Sequence, residues 1–165
     1  MKTIKKAVSL LLCFLTLSAL CSCARSERID YSELDRRLKK DSARYKVNEK
    51  ELLFSDSVYF AFLSLRSQDD ILLTMKEDTE KKLTQVTVTA SGDDGSEEFK
   101  QEFTAFACAV INAFAPEKDA GTLAETQREY TEELFSECFK NAESGRYTLE
   151  LFSDPLGISV ILTRV

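Results

Sequence analysis

The sequence predicts an α+β fold: an antiparallel sheet of about five strands, with an N-terminal helix and a central helical hairpin packed on one face. Three observations predict it. Leu83-Thr84-Gln85-Val86-Thr87-Val88-Thr89-Ala90 alternates apolar and polar side chains, the pattern of a strand with one wet face. Phe99, Phe103, Phe106, Val110 and Phe114 recur at helical spacing over 97–115 and form one large apolar stripe. Short polar connections separate the strand-like segments, as in an antiparallel meander. The predicted order is α, three strands, two helices, two strands.

Asp30-Tyr31-Ser32-Glu33 has the spacing of a capping box, in which the acid reaches back to free backbone N–H groups. Tyr31, Leu34, Leu38 and Tyr45 then share one stripe of a helix running to about Arg44, whose other faces are charged. Asn48 to Phe54 is ambiguous between helix and strand. Val58 to Leu65 is apolar on both alternating faces and reads as a central strand covered on both sides. After a turn at 67–70 comes a strand to Lys76, with Ile71, Leu73 and Met75 on one face. Glu77 to Lys81 connects it to the strand at 83–90, where Val86, Val88 and Ala90 point inward.

Ser91-Gly92-Asp93-Asp94-Gly95-Ser96 is the clearest loop in the chain. The helix after it carries the large stripe and a second face of small residues, Thr104, Ala105, Cys108, Ala109 and Asn112. A large-residue face fills space above a sheet, while a small-residue face lets another helix approach. Pro116 stops this helix. Thr122-Leu123-Ala124-Glu125 matches a second capping box, and Leu123, Tyr130, Leu134 and Cys138 define a helix to about Lys140. Arg146–Phe152, with Tyr147, Leu149 and Leu151 on one face, and Ile158–Val165 are the last two strands.

The chain has no histidine, which removes Ser-His-Asp and Cys-His arrangements and every His-ligated metal site. Asp93-Asp94-Gly95-Ser96-Glu97-Glu98 lacks the alternating acids of an EF-hand, so it reads as a soluble turn whose acids favour the start of the next helix. Asp69, Asp70 and Asp78 sit in polar turns, where carboxylates are simply solvated. The domain shows no glycine-rich phosphate loop, Ser-Lys nucleophile pattern or CxxC pair. No catalytic, cofactor-binding or metal-binding residue is therefore assigned. Two cysteines, Cys108 and Cys138, lie in the domain. In a hairpin turning near residue 118 they are offset by roughly 13 Å along the helix axes. A disulfide needs Cα atoms within about 7 Å, so both are expected as buried free thiols.

The chain opens Met1-Lys2-Thr3-Ile4-Lys5-Lys6, then runs through apolar Ala7–Leu20 to Cys21-Ser22-Cys23-Ala24. A charged start, a short apolar run and small residues make up a secretory signal. Spanning a bilayer takes roughly 20 apolar residues, more than this run supplies. Leu20-Cys21-Ser22-Cys23 resembles the lipobox of bacterial lipoproteins: an aliphatic residue three before an obligate cysteine, and a small residue just before it. The resemblance covers these 23 residues alone. It implies cleavage before Cys23 and palmitate-type acylation of that cysteine, which anchors the protein to the outside of the cell membrane. Ordinary cleavage after Ala24 and an uncleaved anchor are the other readings, and all three place the domain outside the cytoplasm.

On this reading residues 1–22 are signal peptide, 23–30 a lipid-anchored tether of at most about 25 Å, and 31–165 a single α+β domain. Five glycines and two prolines are too few for a repeat-linker or disordered chain. Residues 24–50 carry nine Lys/Arg against six Asp/Glu, whereas 51–165 carry ten against twenty-two. The segment nearest the anchor is thus mildly basic and the body strongly acidic, a poor match for nucleic acid. The expected function is a non-catalytic, membrane-anchored lipoprotein with a protein partner, recognised through an acidic face or an unpaired strand edge. The alternative is a carrier of a small apolar ligand between sheet and helices.

Overall fold

The computed structural model describes residues 28–45, 48–65, 70–91, 96–129, 138–154 and 157–165. Helix α1 (Tyr31–Tyr45) is followed by β1 (Asn48–Ser55), β2 (Val58–Ser64), β3 (Asp70–Glu77) and β4 (Leu83–Ser91). Helices α2 (Glu97–Phe114) and α3 (Glu117–Glu129) come next, then β5 (Cys138–Ser144), β6 (Tyr147–Asp154) and β7 (Gly157–Arg164). All strand pairs are antiparallel, and the order across the sheet is β1-β2-β3-β4-β7-β6-β5. The class is therefore α+β with an open antiparallel sheet, but it has seven strands where five were expected, and its helices are bounded and arranged differently.

Two meanders build the sheet. The first, β1–β4, is local in sequence, and so is the second, β5–β7. A single long-range seam joins them, with Val86 opposite Leu162, Val88 opposite Val160 and Ala90 opposite Ile158. Residues paired across strands share a face. On one face Leu63, Leu73, Val88, Val160, Leu149 and their row neighbours are almost wholly buried. They form one apolar cluster with Leu34 of α1, Phe99, Phe103 and Ile111 of α2, and Leu123 of α3. Burying one such side chain contributes about 1.5–3 kcal/mol, so this layer carries the domain's stability.

The helices begin and end where local chemistry dictates. Asp30 caps α1: its backbone carbonyl accepts from Leu34 N–H at 3.1 Å, and its carboxylate accepts from Glu33 N–H at 3.0 Å. The other half of the expected box is not made, because the Glu33 carboxylate is taken by Arg36 and Arg37 at 2.7 Å each. Arg37 also donates to the Ala113 carbonyl at 3.1 Å, placing a cation at the C-terminal end of α2. Ser96 caps α2 by accepting from Phe99 N–H at 3.2 Å, and Ala115-Pro116 ends it. All five members of the expected large stripe are buried. The small-residue face is only half as expected: Cys108 and Ala109 are buried, but Asn112 is exposed.

The ambiguous segment is an edge strand, Asn48–Ser55, with a register irregularity between Glu49 and Glu51, and two expectations need correction. Thr122-Leu123-Ala124-Glu125 lies inside α3 and caps nothing, because Pro116 starts that helix five residues earlier by accepting from Ala120 N–H at 2.8 Å. Cys138-Phe139-Lys140 belongs to strand β5, not to a helix, so the hairpin geometry used for the cysteine pair does not apply. Cys108 is nonetheless a free buried thiol, pushed above its ordinary pKa by burial. Tyr130, Leu134 and Phe135, the loop Gly92–Gly95, and the leader with Cys23 lie outside the described residues.

Candidate interaction surface

Strand β2 was expected to be covered on both sides. The structure covers one. Ala61 and Leu63 are buried beneath the helices, whereas Phe62 between them is 40% exposed. The same holds across the sheet, whose second face has no helix against it among the described residues. Successive side chains on a strand alternate in direction, so the register assigns every residue to a face.

One row across the open face reads Glu51, Phe62, Leu72, Thr89, Ser159, Phe152, Phe139 from β1 to β5. The next row reads Leu53, Phe60, Thr74, Thr87, Ile161, Glu150, Asn141. Apolar side chains thus gather at the two flanks, and hydroxyl side chains fill the middle. The middle is internally tied: Thr89 and Ser159 hydroxyls lie 3.1 Å apart, and the Gln85 amide donates to Thr163 Oγ1 at 3.1 Å. The flanks meet solvent, with Phe139 61% exposed, Leu53 47% and Phe152 42%.

Charge on this face is mostly negative. Glu51, Asp70, Glu143 and Glu150 lie on it, against Lys76. The β1 edge adds apolar exposure on the opposite side, where Phe54 packs on Tyr59 with ring centroids 4.5 Å apart. Lys81 Nζ sits 5.6 Å from the Phe54 ring centre and 2.6 Å from the buried Glu77 carboxylate. That carboxylate holds the Lys81 ammonium above its ordinary pKa. Burial, and then Glu77, push the Tyr59 phenol up.

Among the described residues, the cavities that border the domain include these two. One of about 300 Å³ is lined by Arg28, Thr84, Arg146, Arg164 and Val165, and Arg28 there is ion-paired to Asp78 and Glu80. The other, of about 590 Å³, is lined by Arg37, Asn112, Ala115, Pro116, Glu117, Ala120 and Gly121. Neither is lined by both the buried sheet face and the helices, where the carrier reading places its ligand. Asp78, named among the solvated carboxylates, is the hub of the β3–β4 turn: its side chain accepts from Glu80 N–H at 2.9 Å and Lys82 N–H at 3.0 Å. Asp69 lies outside the described residues, and Asp70 opens β3 at the sheet's far end, so the structure does not bring Asp70 and Asp78 together.

Among the described residues no helix is long and apolar enough to cross a membrane, and no group of three or more acidic or cysteine side chains is placed to hold a metal ion. No family model matches the chain, and neither a curated protein nor a solved structure shows significant similarity to it. Thr87 and Thr89 lie on the wet surface that the alternation predicts, whereas Phe60 and Phe62, expected on a covered face, share it. An acid-free apolar segment carries no mark that tells a second buried face from an exposed one.

Proposed function

We propose that the chain is a membrane-anchored extracytoplasmic lipoprotein whose single α+β domain is a non-catalytic protein-interaction module. The observation that carries the interaction half is the open sheet face, whose two flanks expose Leu53 and Phe62 on one side and Phe139 and Phe152 on the other. Scattered apolar side chains are ordinary on protein surfaces, but two apolar clusters, Leu53 with Phe62 at one flank and Phe139 with Phe152 at the other, on one open sheet face cost solubility unless something covers them. Aromatic residues on a preformed surface are also the side chains that dominate protein interfaces. The anchoring half is supported by the lipobox-like Leu20-Cys21-Ser22-Cys23 and the short tether after it. Together they hold the module close to the bilayer, its basic N-terminal segment toward anionic headgroups.

Labelled palmitate fed to cells of a bacterial host producing the full chain tests the anchor. The label enters the wild-type protein and is absent from Cys23→Ser, which accumulates with its leader uncleaved. Unlabelled wild-type protein in the soluble fraction refutes it. Cross-linking at the open face, described next, tests the interaction half.

A further inference from the structure

The open face has the dimensions and layout of one half of a β-sandwich, and we infer that a second copy of this chain supplies the other half. The inference rests on the interaction reading above and names its partner. Seven strands at about 4.8 Å spacing and seven residues at about 3.4 Å rise give a face of about 800 Å². A stable specific interface takes about 800 Å² from each partner, so this face alone, with its rims, meets the requirement. Two sheets pack about 10 Å apart through side chains of the facing surfaces, with strand directions within about 30° of each other.

The pattern on the face selects the symmetry. Strand β4 is the fourth of seven, so a two-fold axis parallel to it sets β2 of one copy over β6 of the other, and β3 over β7. Phe62 then lies over Phe152 of the second copy, Leu72 over Ser159, and Thr87 and Thr89 over themselves. The Thr89 hydroxyl at the axis is already hydrogen-bonded to Ser159 within each copy, so closing over it leaves little polar desolvation uncompensated there. A rotation of about 30° between the sheets displaces a position two strands from the axis by about 5 Å, within reach of an aromatic ring.

Acidic side chains support the same axis. Glu150 falls over Phe60, Glu143 over Ser55 and Glu51 over Phe139, so no acid meets an acid. Lys76 falls over Thr163, within side-chain reach of Glu150 on the second copy. Like charges brought together at an interface cost affinity, and the strand-parallel axis closes without creating such a pair.

A benzoylphenylalanine probe introduced at Phe152 of the full chain, irradiated in the bacterial host, tests the inference, with the exposed Glu98 on the helix side as the comparison position. The expected result is a band of doubled mass from the Phe152 position only, with the cross-link mapped by mass spectrometry to residues 58–64. In purified protein Phe62→Ser and Phe152→Ser each raise the dimer dissociation constant at least about 30-fold in sedimentation equilibrium. Both side chains are partly exposed, so thermal unfolding of the separated monomers stays near that of the wild type. An adduct to a different protein overturns self-association and leaves the interaction module standing. The absence of any protein adduct, with a wild type that sediments as a monomer, overturns both.

Discussion

Asp30 does three jobs with one carboxylate. It accepts from the Ser32 hydroxyl at 2.7 Å, caps α1 through Glu33 N–H, and pairs with Lys82 Nζ at 3.2 Å. These bonds, in that order, hold its pKa down to about 2 from 3.8. A carboxylate depressed in the folded state stabilises the protein above the unfolded pKa and loses that contribution as pH falls through the folded one. Asp30 therefore stabilises fully above about pH 4 and not below about pH 2. The group is largely solvated, so its contribution is about 1 kcal/mol, below what the shift alone would give. Asp30→Ala should lower stability at pH 7 by that amount in urea titrations. Asp30→Asn should keep most of the cap at pH 7 and shallow the loss between pH 4 and 2. A residual slope remains from Glu33, which Arg36 and Arg37 also hold at about 2.

Elements are locked to one another by short turns, and the β5–β6 hairpin shows how. Gly145 sits at φ +59° in the turn, against Asp119 of α3. A Cβ there would lie 2.6 Å from the Asp119 carboxylate oxygen, which also bonds the Ser144 hydroxyl at 3.2 Å. Gly145→Ala should cost about 1–3 kcal/mol in thermal or urea unfolding, from positive φ and the displaced carboxylate together. Asp119→Ala should remove the steric part and leave the rest. The alternation of Val86, Val88 and Ala90, and of Tyr147, Leu149 and Leu151, revealed the half-buried strands because burial on one face enforces a period of two. Helix α2 was as clear, since its buried phenylalanines recur every three or four residues. Strand β1 was not, because an edge strand with exposed Leu52, Leu53 and Phe54 has no buried face to impose alternation. Cys-Phe-Lys-Asn-Ala-Glu-Ser of β5 lies at the other edge, and with its mixed propensities it reads equally well as the end of a helix. Both strands missing from the expected sheet are thus its two edges. Cys23, the one residue assigned a chemical role, rests on a linear motif and lies outside the described residues.

At the scale of the whole molecule, the seam between β4 and β7 is, among the described residues, where one half of the sheet pairs with the other. The hairpins on either side close over short loops, whereas this pairing spans more than 65 residues and must meet a larger loop-closure entropy before contacts reward it. Val88→Ala and Val160→Ala, both buried, should each destabilise by about 2 kcal/mol and do so mainly by slowing folding in stopped-flow measurements. Leu63→Ala, remote from the seam, should act mainly by speeding unfolding. A chain that emerges on the far side of the membrane N-terminus first completes β4 before β7 has followed it, so its outer edge waits without its neighbour. Throughout that interval the emerging chain offers a row of backbone donors and acceptors to any other emerging chain nearby. Crowded export is thus a condition under which this topology is exposed to aggregation.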